Sequence, residues 1–181
     1  MSNVNLTIGK VRFSYLNVFN PTAKEEGGDK KYSVSLLFPK KDKALIKKMQ
    51  SAVDSILKDP ASLTIWGGKV ARDLKKCFRD GDEERDDDVY NGNMFMSASS
   101  KKRPGIVDEN REAIISEDDI KSGDYGFANV TLYAYNNVSK GIGCMLNHLM
   151  KTEDGEALAG GISVEEAFKD VGGDSDDSGL L

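Results

Sequence analysis

Residues 127–135 read Phe127-Ala128-Asn129-Val130-Thr131-Leu132-Tyr133-Ala134-Tyr135. Val130, Leu132 and Ala134 alternate with Asn129, Thr131, Tyr133 and Tyr135. A period of two is the mark of a strand buried on one face. The alternation turns both tyrosines away from the core. The pattern recurs upstream. Met94, Met96 and Ala98 form one face, and Phe95, Ser97 and Ser99 the other, so Phe95 also points outward. Tyr32, Val34, Leu36 and Phe38 oppose Lys31, Ser33 and Ser35, and Pro39 ends that run. Over residues 8–16, Val11, Phe13 and Tyr15 alternate with Lys10, Arg12 and Ser14. Residues 142–149 supply the last strand, reached through a turn at 136–141, and Ile106-Val107 begins a short returning strand.

Helices fit between these strands. Leu45, Met49, Ala52, Val53 and Ile56 recur at spacings of three and four, which predicts an amphipathic helix over 42–58. Asp42 is placed to cap it and Pro60 to stop it. A second helix is expected over 69–78, after Trp66-Gly67-Gly68, with Val70, Leu74, Cys77 and Phe78 inward and Lys69, Arg72, Lys76 and Arg79 outward. A plain solvated face accounts for that second set of charges. Residues 17–30, with Asn20-Pro21 and Gly27-Gly28, read as a loop, and 116–119 as a capped turn. Five or six short strands with one or two helices predict a mainly β chain built as an OB-type barrel. One domain over residues 1–168 and a disordered acidic tail over 169–181 are expected.

The net charge of -5 conceals an asymmetry. Residues 165–181 hold six acids and one base and so carry all of it. Residues 80–88 (DGDEERDDD) hold seven acids and one base, which leaves six bases in excess on the rest. Residues 1–79 alone hold 16 bases and seven acids. An acidic tail on a basic body points to an anionic partner more clearly than the total does.

The usual catalytic signatures are missing: no GxxxxGK[ST], GxSxG, HExxH or CxxC is present. Cys77 and Cys144 read as buried thiols of a reducing cytosol. His148 stands among Leu146, Leu149 and Met150 as a strand or core histidine. No metal and no cofactor is expected. Asp80, Asp82 and Glu84 offer hard oxygen donors for magnesium, but a like-charged run more often makes a solvated loop. No apolar run is long enough to span a membrane and the N-terminus carries no secretory pattern, so a cytoplasmic location is expected.

Outward rings beside strand-borne cations have a physical use. Rings stack on nucleobases, contributing about 1–3 kcal/mol per base whatever the base. Lys and Arg neutralise phosphates and release counterions. Base faces are free only in single strands. The candidate binding residues are therefore Phe95, Tyr133 and Tyr135 with Lys10, Arg12, Lys30, Lys31, Lys101, Lys102 and Arg103. Trp66, Lys69, Arg72 and Tyr125 are further candidates, and the sequence does not say which of Tyr15, Trp66, Tyr90 and Tyr125 join them. For any single ring, packing across strands explains it equally well. A tail carrying Asp170, Asp174, Asp176 and Asp177 mimics a phosphate backbone and can occupy the same groove at high effective concentration.

Several segments taken in order resemble a known family. They are 10–21 (KVRFSYLNVFNP), 31–40 (KYSVSLLFPK), 79–84 (RDGDEE), 103–108 (RPGIVD), 122–126 (SGDYG) and 133–136 (YAYN). Residues 140–144 (KGIGC), Leu146-Asn147 and 154–156 (DGE) continue the match, which spans about residues 4–168. The resemblance is to phage replication single-stranded DNA-binding proteins, first catalogued as a domain of unknown function in tailed phages. It implies an OB-type barrel, no enzyme activity, ssDNA bound by stacking and basic contacts, and a bacterial host cell. It also implies an acidic tail that modulates DNA access and recruits phage replication proteins, with stacking carried by Phe95 and Tyr135. Two departures stand out. Related tails end in an aromatic residue, whereas this one ends Leu180-Leu181, and a base that commonly follows the YG pair is replaced by Phe127. A homodimer stays open. Two other readings remain at this point: a magnesium-dependent nuclease using the acids of 80–88, and a phage structural or assembly protein whose rings form a protein interface.

Overall fold

The computed structural model describes residues 3–23, 25–70, 72–158 and 168–171. Seven strands form one sheet: β1 (Val4–Thr22), β2 (Lys31–Pro39), β3 (Phe78–Asp80), β4 (Asn93–Ser100), β5 (Gly105–Val107), β6 (Tyr125–Asn136) and β7 (Lys140–Glu153). The order is β3-β4-β2-β1-β6-β7-β5, and β4 also meets β7 in parallel at Ser99 and Met145. That contact closes β4, β2, β1, β6 and β7 into a five-stranded barrel of the OB type. Its interior holds Ile8, Val11, Phe13, Val34, Leu36, Met96, Val130, Leu132 and Leu146. The expected inward faces of β2, β4 and β6 are the observed ones.

Helix α1 (Lys43–Lys58) seats Leu45, Met49, Ala52 and Ile56 on the barrel, and the Asp42 carboxylate accepts from Leu45 N at 3.1 Å. Pro60 does more than stop this helix. It opens α2 (Pro60–Ile65), where the Asp59 side chain caps and proline's missing N–H costs nothing. The buried Trp66 follows.

Three expectations fail, each because tertiary pairing overrides a local signal. Among the described residues of 69–78 there is no helix. Lys75 instead pairs with β7, its N–H donating to Lys140 O at 2.9 Å while its carbonyl accepts from Ile142 N at 3.0 Å. The segment then enters β3, so Lys69, Arg72, Lys76 and Arg79 do not share a helix face. Residues 17–22 continue β1 rather than looping. The acidic run is folded rather than loose: it ends β3, makes the short helix α3 (Gly81–Glu84) and closes in a 3-10 turn at Asp88–Tyr90. Asp80 and Asp87 cap these turns through Asp82 N and Val89 N.

A bulge in β1 re-aims one side chain. Ser14 pairs with Ser35 and Asn17 with Ser33, so Tyr15 and Leu16 together oppose Val34. The extra residue shifts the parity of the strand. Leu16 packs against the interior, and Tyr15, which simple alternation places inward, stands 56% exposed.

Candidate nucleic-acid interface

One row of paired residues crosses the outer wall of five strands: Arg79, Phe95, Leu37, Arg12 and Tyr125. Below it run Ser97, Ser35 and Ser14, then Ser99, Ser33 and Asn17. Small side chains leave this wall a shallow floor. Tyr90, brought back by the acidic segment, lies across it. Its Oη sits 3.2 Å from Ser14 Oγ and 3.1 Å from Ser35 Oγ, donating to one and accepting from the other.

Phe95 points outward as the alternation requires, but it is 0% exposed. It packs with Leu37, Tyr90 and Val89 in a cluster separate from the barrel interior. The Tyr90 ring meets it edge-on at 5.1 Å. The Arg79 guanidinium lies 4.8 Å above the Phe95 ring, and that of Arg85 stands 5.0 Å from Phe95 and 5.4 Å from Tyr90. The expectation of a water-exposed Phe95 is thus corrected: the ring is roofed by Tyr90 and by two flat cations. Tyr15 continues the row, its ring 6.5 Å from that of Tyr90.

The far end of the floor is a groove of about 320 Å³ lined by Lys31, Ser33, Ser99, Thr22, Glu25, Gly28 and Asp29. Lys30 and Lys31 are exposed there, and Lys101 reaches Asp29 at 3.1 Å. Lys102 is exposed beside it in sequence, and Arg103 covers Phe19 at 5.4 Å.

Other expected site residues are engaged elsewhere. Arg12 donates to Gly123 O at 3.0 Å and Glu156 O at 2.8 Å and stands 5.3 Å over the Tyr125 ring. Lys10 pairs with Glu153 and lies 5.5 Å from the same ring. Tyr125 is therefore a pedestal under two cations. Beside it, Asp124 is fully buried and accepts from Lys121 N, Lys121 Nζ, Lys151 Nζ and Gly155 N. Burial pushes its pKa upward, yet these donors outweigh burial and hold it below the ordinary value. The hub ties 154–158 against 122–126, and Leu158 N donates to Ser122 O at 3.0 Å.

Trp66 offers no face to a base. It is 1% exposed, and its Nε1 donates to Tyr135 O at 3.1 Å and Gly141 O at 3.3 Å. Lys69 and Arg72 are exposed on the irregular approach to β3. Tyr133 and Tyr135 do project outward, on the β6–β7 wall. They pair with Gly143 and Gly141, and a Cβ on Gly141 would stand 2.6 Å from Tyr135 Oη. Their rings, 6.2 Å apart, lie over bare backbone. Burial, then the neighbouring Cys144 and Tyr135, raise the Tyr133 pKa. His148 is exposed on this strand rather than buried.

Asp80, Asp82, Glu84 and Asp87 of the acidic run serve the fold. Lys40 Nζ sits 2.6 Å from Asp80 and 2.8 Å from Asp82, and Arg79 meets Glu84 at 3.3 Å. The hydrogen bonds that Lys40 donates to Asp80 and Asp82 raise its pKa and lower both of theirs. A lysine thus occupies the space between the two carboxylates. Among the described residues no three His, Cys, Asp or Glu side chains converge to hold a metal ion. Burial pushes the Cys77 thiol up to about 11 and raises that of Cys144 as well. Of the tail acids, Asp170 is exposed. Asp174, Asp176 and Asp177 lie outside the described residues.

Tyr15, Tyr90, Arg79 and Arg85 were not legible as one site. The bulge hides Tyr15. Arg85 had one visible signal, as the sole base in the 80–88 run.

Comparison with known proteins agrees with this architecture. Protein p50 of Acyrthosiphon pisum secondary endosymbiont phage 1 is 32% identical over 183 residues, covering 93% of this chain and 94% of the relative. The single-stranded DNA-binding protein of bacteriophage Enc34, solved in complex with ssDNA, is 27% identical, with a TM-score of 0.73 over 86% of this chain and 89% of that one. The bacteriophage T7 single-stranded DNA-binding protein gp2.5 shares the fold, with a TM-score of 0.59 at 12% identity over 97% and 99% of the two chains. The family model described as the ssDNA-binding protein of Enterobacter phage Enc34 matches residues 4–179, and this chain belongs to that family.

Proposed function

We propose that this chain is a non-enzymatic single-stranded DNA-binding protein of phage DNA replication and recombination, working in the cytoplasm of the bacterial host. The observation that carries this reading is the outer wall of β1, β2 and β4. There a row of rings with flat guanidinium groups borders a serine floor that leads to Lys30, Lys31 and Lys101. Such a surface meets a base with the open ring of Tyr15, which the covered rings support, and meets phosphates with cations. Family membership supports the same partner. Lys102 and Arg103 extend the cationic end. Tyr133 and Tyr135 would add contacts only where a strand wraps round to the β6–β7 wall.

The acidic tail, including Asp170, Asp174, Asp176 and Asp177, is the proposed competitor for this wall and the handle for phage replication proteins. Its support is the charge asymmetry, six acids and one base over residues 165–181 against a basic body.

Fluorescence anisotropy with a labelled oligo-dT, titrated across salt, tests the reading. Affinity is expected to fall linearly in log–log form as salt rises, as counterion release requires. Absence of binding at low salt would overturn it.

A further inference from the structure

We propose that Tyr15 is the principal base-stacking ring of this surface, raised into solvent by the β1 bulge and buttressed by Tyr90; this rests on the ssDNA-binding reading above. Tyr15 holds φ at +48°, a region that side chains other than Gly, Asn and Asp rarely adopt. A bulky residue persists there only where its surroundings enforce it. They do: Ser14 and Asn17 stay in register with β2, and Leu16 N donates to Ser122 Oγ at 3.0 Å.

The strained conformation contributes little to the core. Phe13 and Leu16 fill the inward positions on either side, while Tyr15 is 56% exposed. What the bulge achieves is placement. It sets a ring beside Tyr90, at the end of the Phe95–Tyr90 row and level with the serine floor. Bulges commonly re-aim a side chain in this way next to binding sites. Phe95 and Tyr90 are both fully covered, so of the rings Phe95, Tyr90 and Tyr15 the last alone offers an open face. Tyr90, fixed by Ser14 and Ser35 and roofed by Arg85, keeps the adjoining surface rigid. Arg85, over the Tyr90 ring, and Lys31, in the groove at the far end of the floor, are the cations this wall offers to the flanking phosphates.

The test compares wild type, Tyr15→Phe, Tyr15→Ala and Tyr15→Gly by oligo-dT anisotropy and thermal unfolding. Loss of one stacked base is expected to weaken binding about tenfold in the Ala and Gly variants. Tyr15→Phe should bind like wild type, because stacking needs the ring and not the hydroxyl. Tyr15→Gly should melt no lower than wild type, because glycine accepts φ > 0 freely. Wild type that binds while Tyr15→Ala binds equally well would overturn the assignment. So would a Tyr15→Gly melting temperature that falls together with affinity, since the ring would then be structural. Failure of the wild type itself to bind would sink the ssDNA-binding reading instead.

Discussion

Two walls of one barrel carry outward rings, and they differ in what lies around those rings. On the β6–β7 wall, Tyr133 and Tyr135 cover Gly143 and Gly141, with Asn5, Asn129 and Asn147 hydrogen-bonded alongside. On the β1–β2–β4 wall, rings stand in series beside guanidinium groups and above serines, and the last of them is open to solvent. Strand alternation predicts which way a ring points on either wall. It does not predict whether the ring is available, because that depends on what other segments bring to it. Here residues 81–92 roof Phe95, while a bulge frees Tyr15.

The strongest expected effect is on stability and breaks the comparison at its covered ring. Phe95→Ala should destabilise the protein by about 3 kcal/mol, measured by urea unfolding, since it empties a packed cluster. A variant as stable as wild type would mean that the roof is loose and the ring accessible.

Asp124→Asn comes next, at roughly 3 kcal/mol or less, because it removes the buried one of the two carboxylates that Lys121 and Lys151 share, leaving them only the exposed Asp154. Folding lowers the Asp124 pKa. Its stabilisation is therefore present above about pH 4 and fades as pH drops through the lowered folded value. The melting temperature of wild type should fall towards that of Asp124→Asn in acid, and a constant gap between them would contradict the hub.

Charge at the groove has a smaller effect that sharpens the contrast. Lys31→Ala should weaken oligo-dT binding and reduce the log–log salt slope by about one, as loss of one phosphate contact does. An unchanged slope would place the groove outside the DNA path. The smallest effect is expected on the other wall. Tyr135→Ala should change oligo-dT affinity by less than about twofold, below the effect of a lost stacked base. A larger loss would show that the strand wraps round to β6.

Much of the barrel was readable because period-two alternation is local. Val34, Leu36, Met96, Val130 and Leu132 are inward as their spacing requires, and α1 starts at the cap Asp42 provides. Residues 69–78 misled because their apolar spacing suits a helix, while the gap beside β7 rewards an extended chain. The acidic run misled because composition implied solvation, whereas Lys40 and backbone N–H groups give its carboxylates partners. Of the proposed site, the outward direction of Phe95 and the exposure of Lys31 were readable, but the parity change at Tyr15 depends on pairing between distant strands, and no residue type at 14–17 announces it.

Hydrogen–deuterium exchange of the full chain with and without oligo-dT tests the central claim most directly. The account predicts slower exchange at residues 14–17, 31–35, 85–90 and 97–101, with 133–135 and 141–145 unchanged. Protection confined to 133–145 would place the DNA on the opposite wall and contradict it.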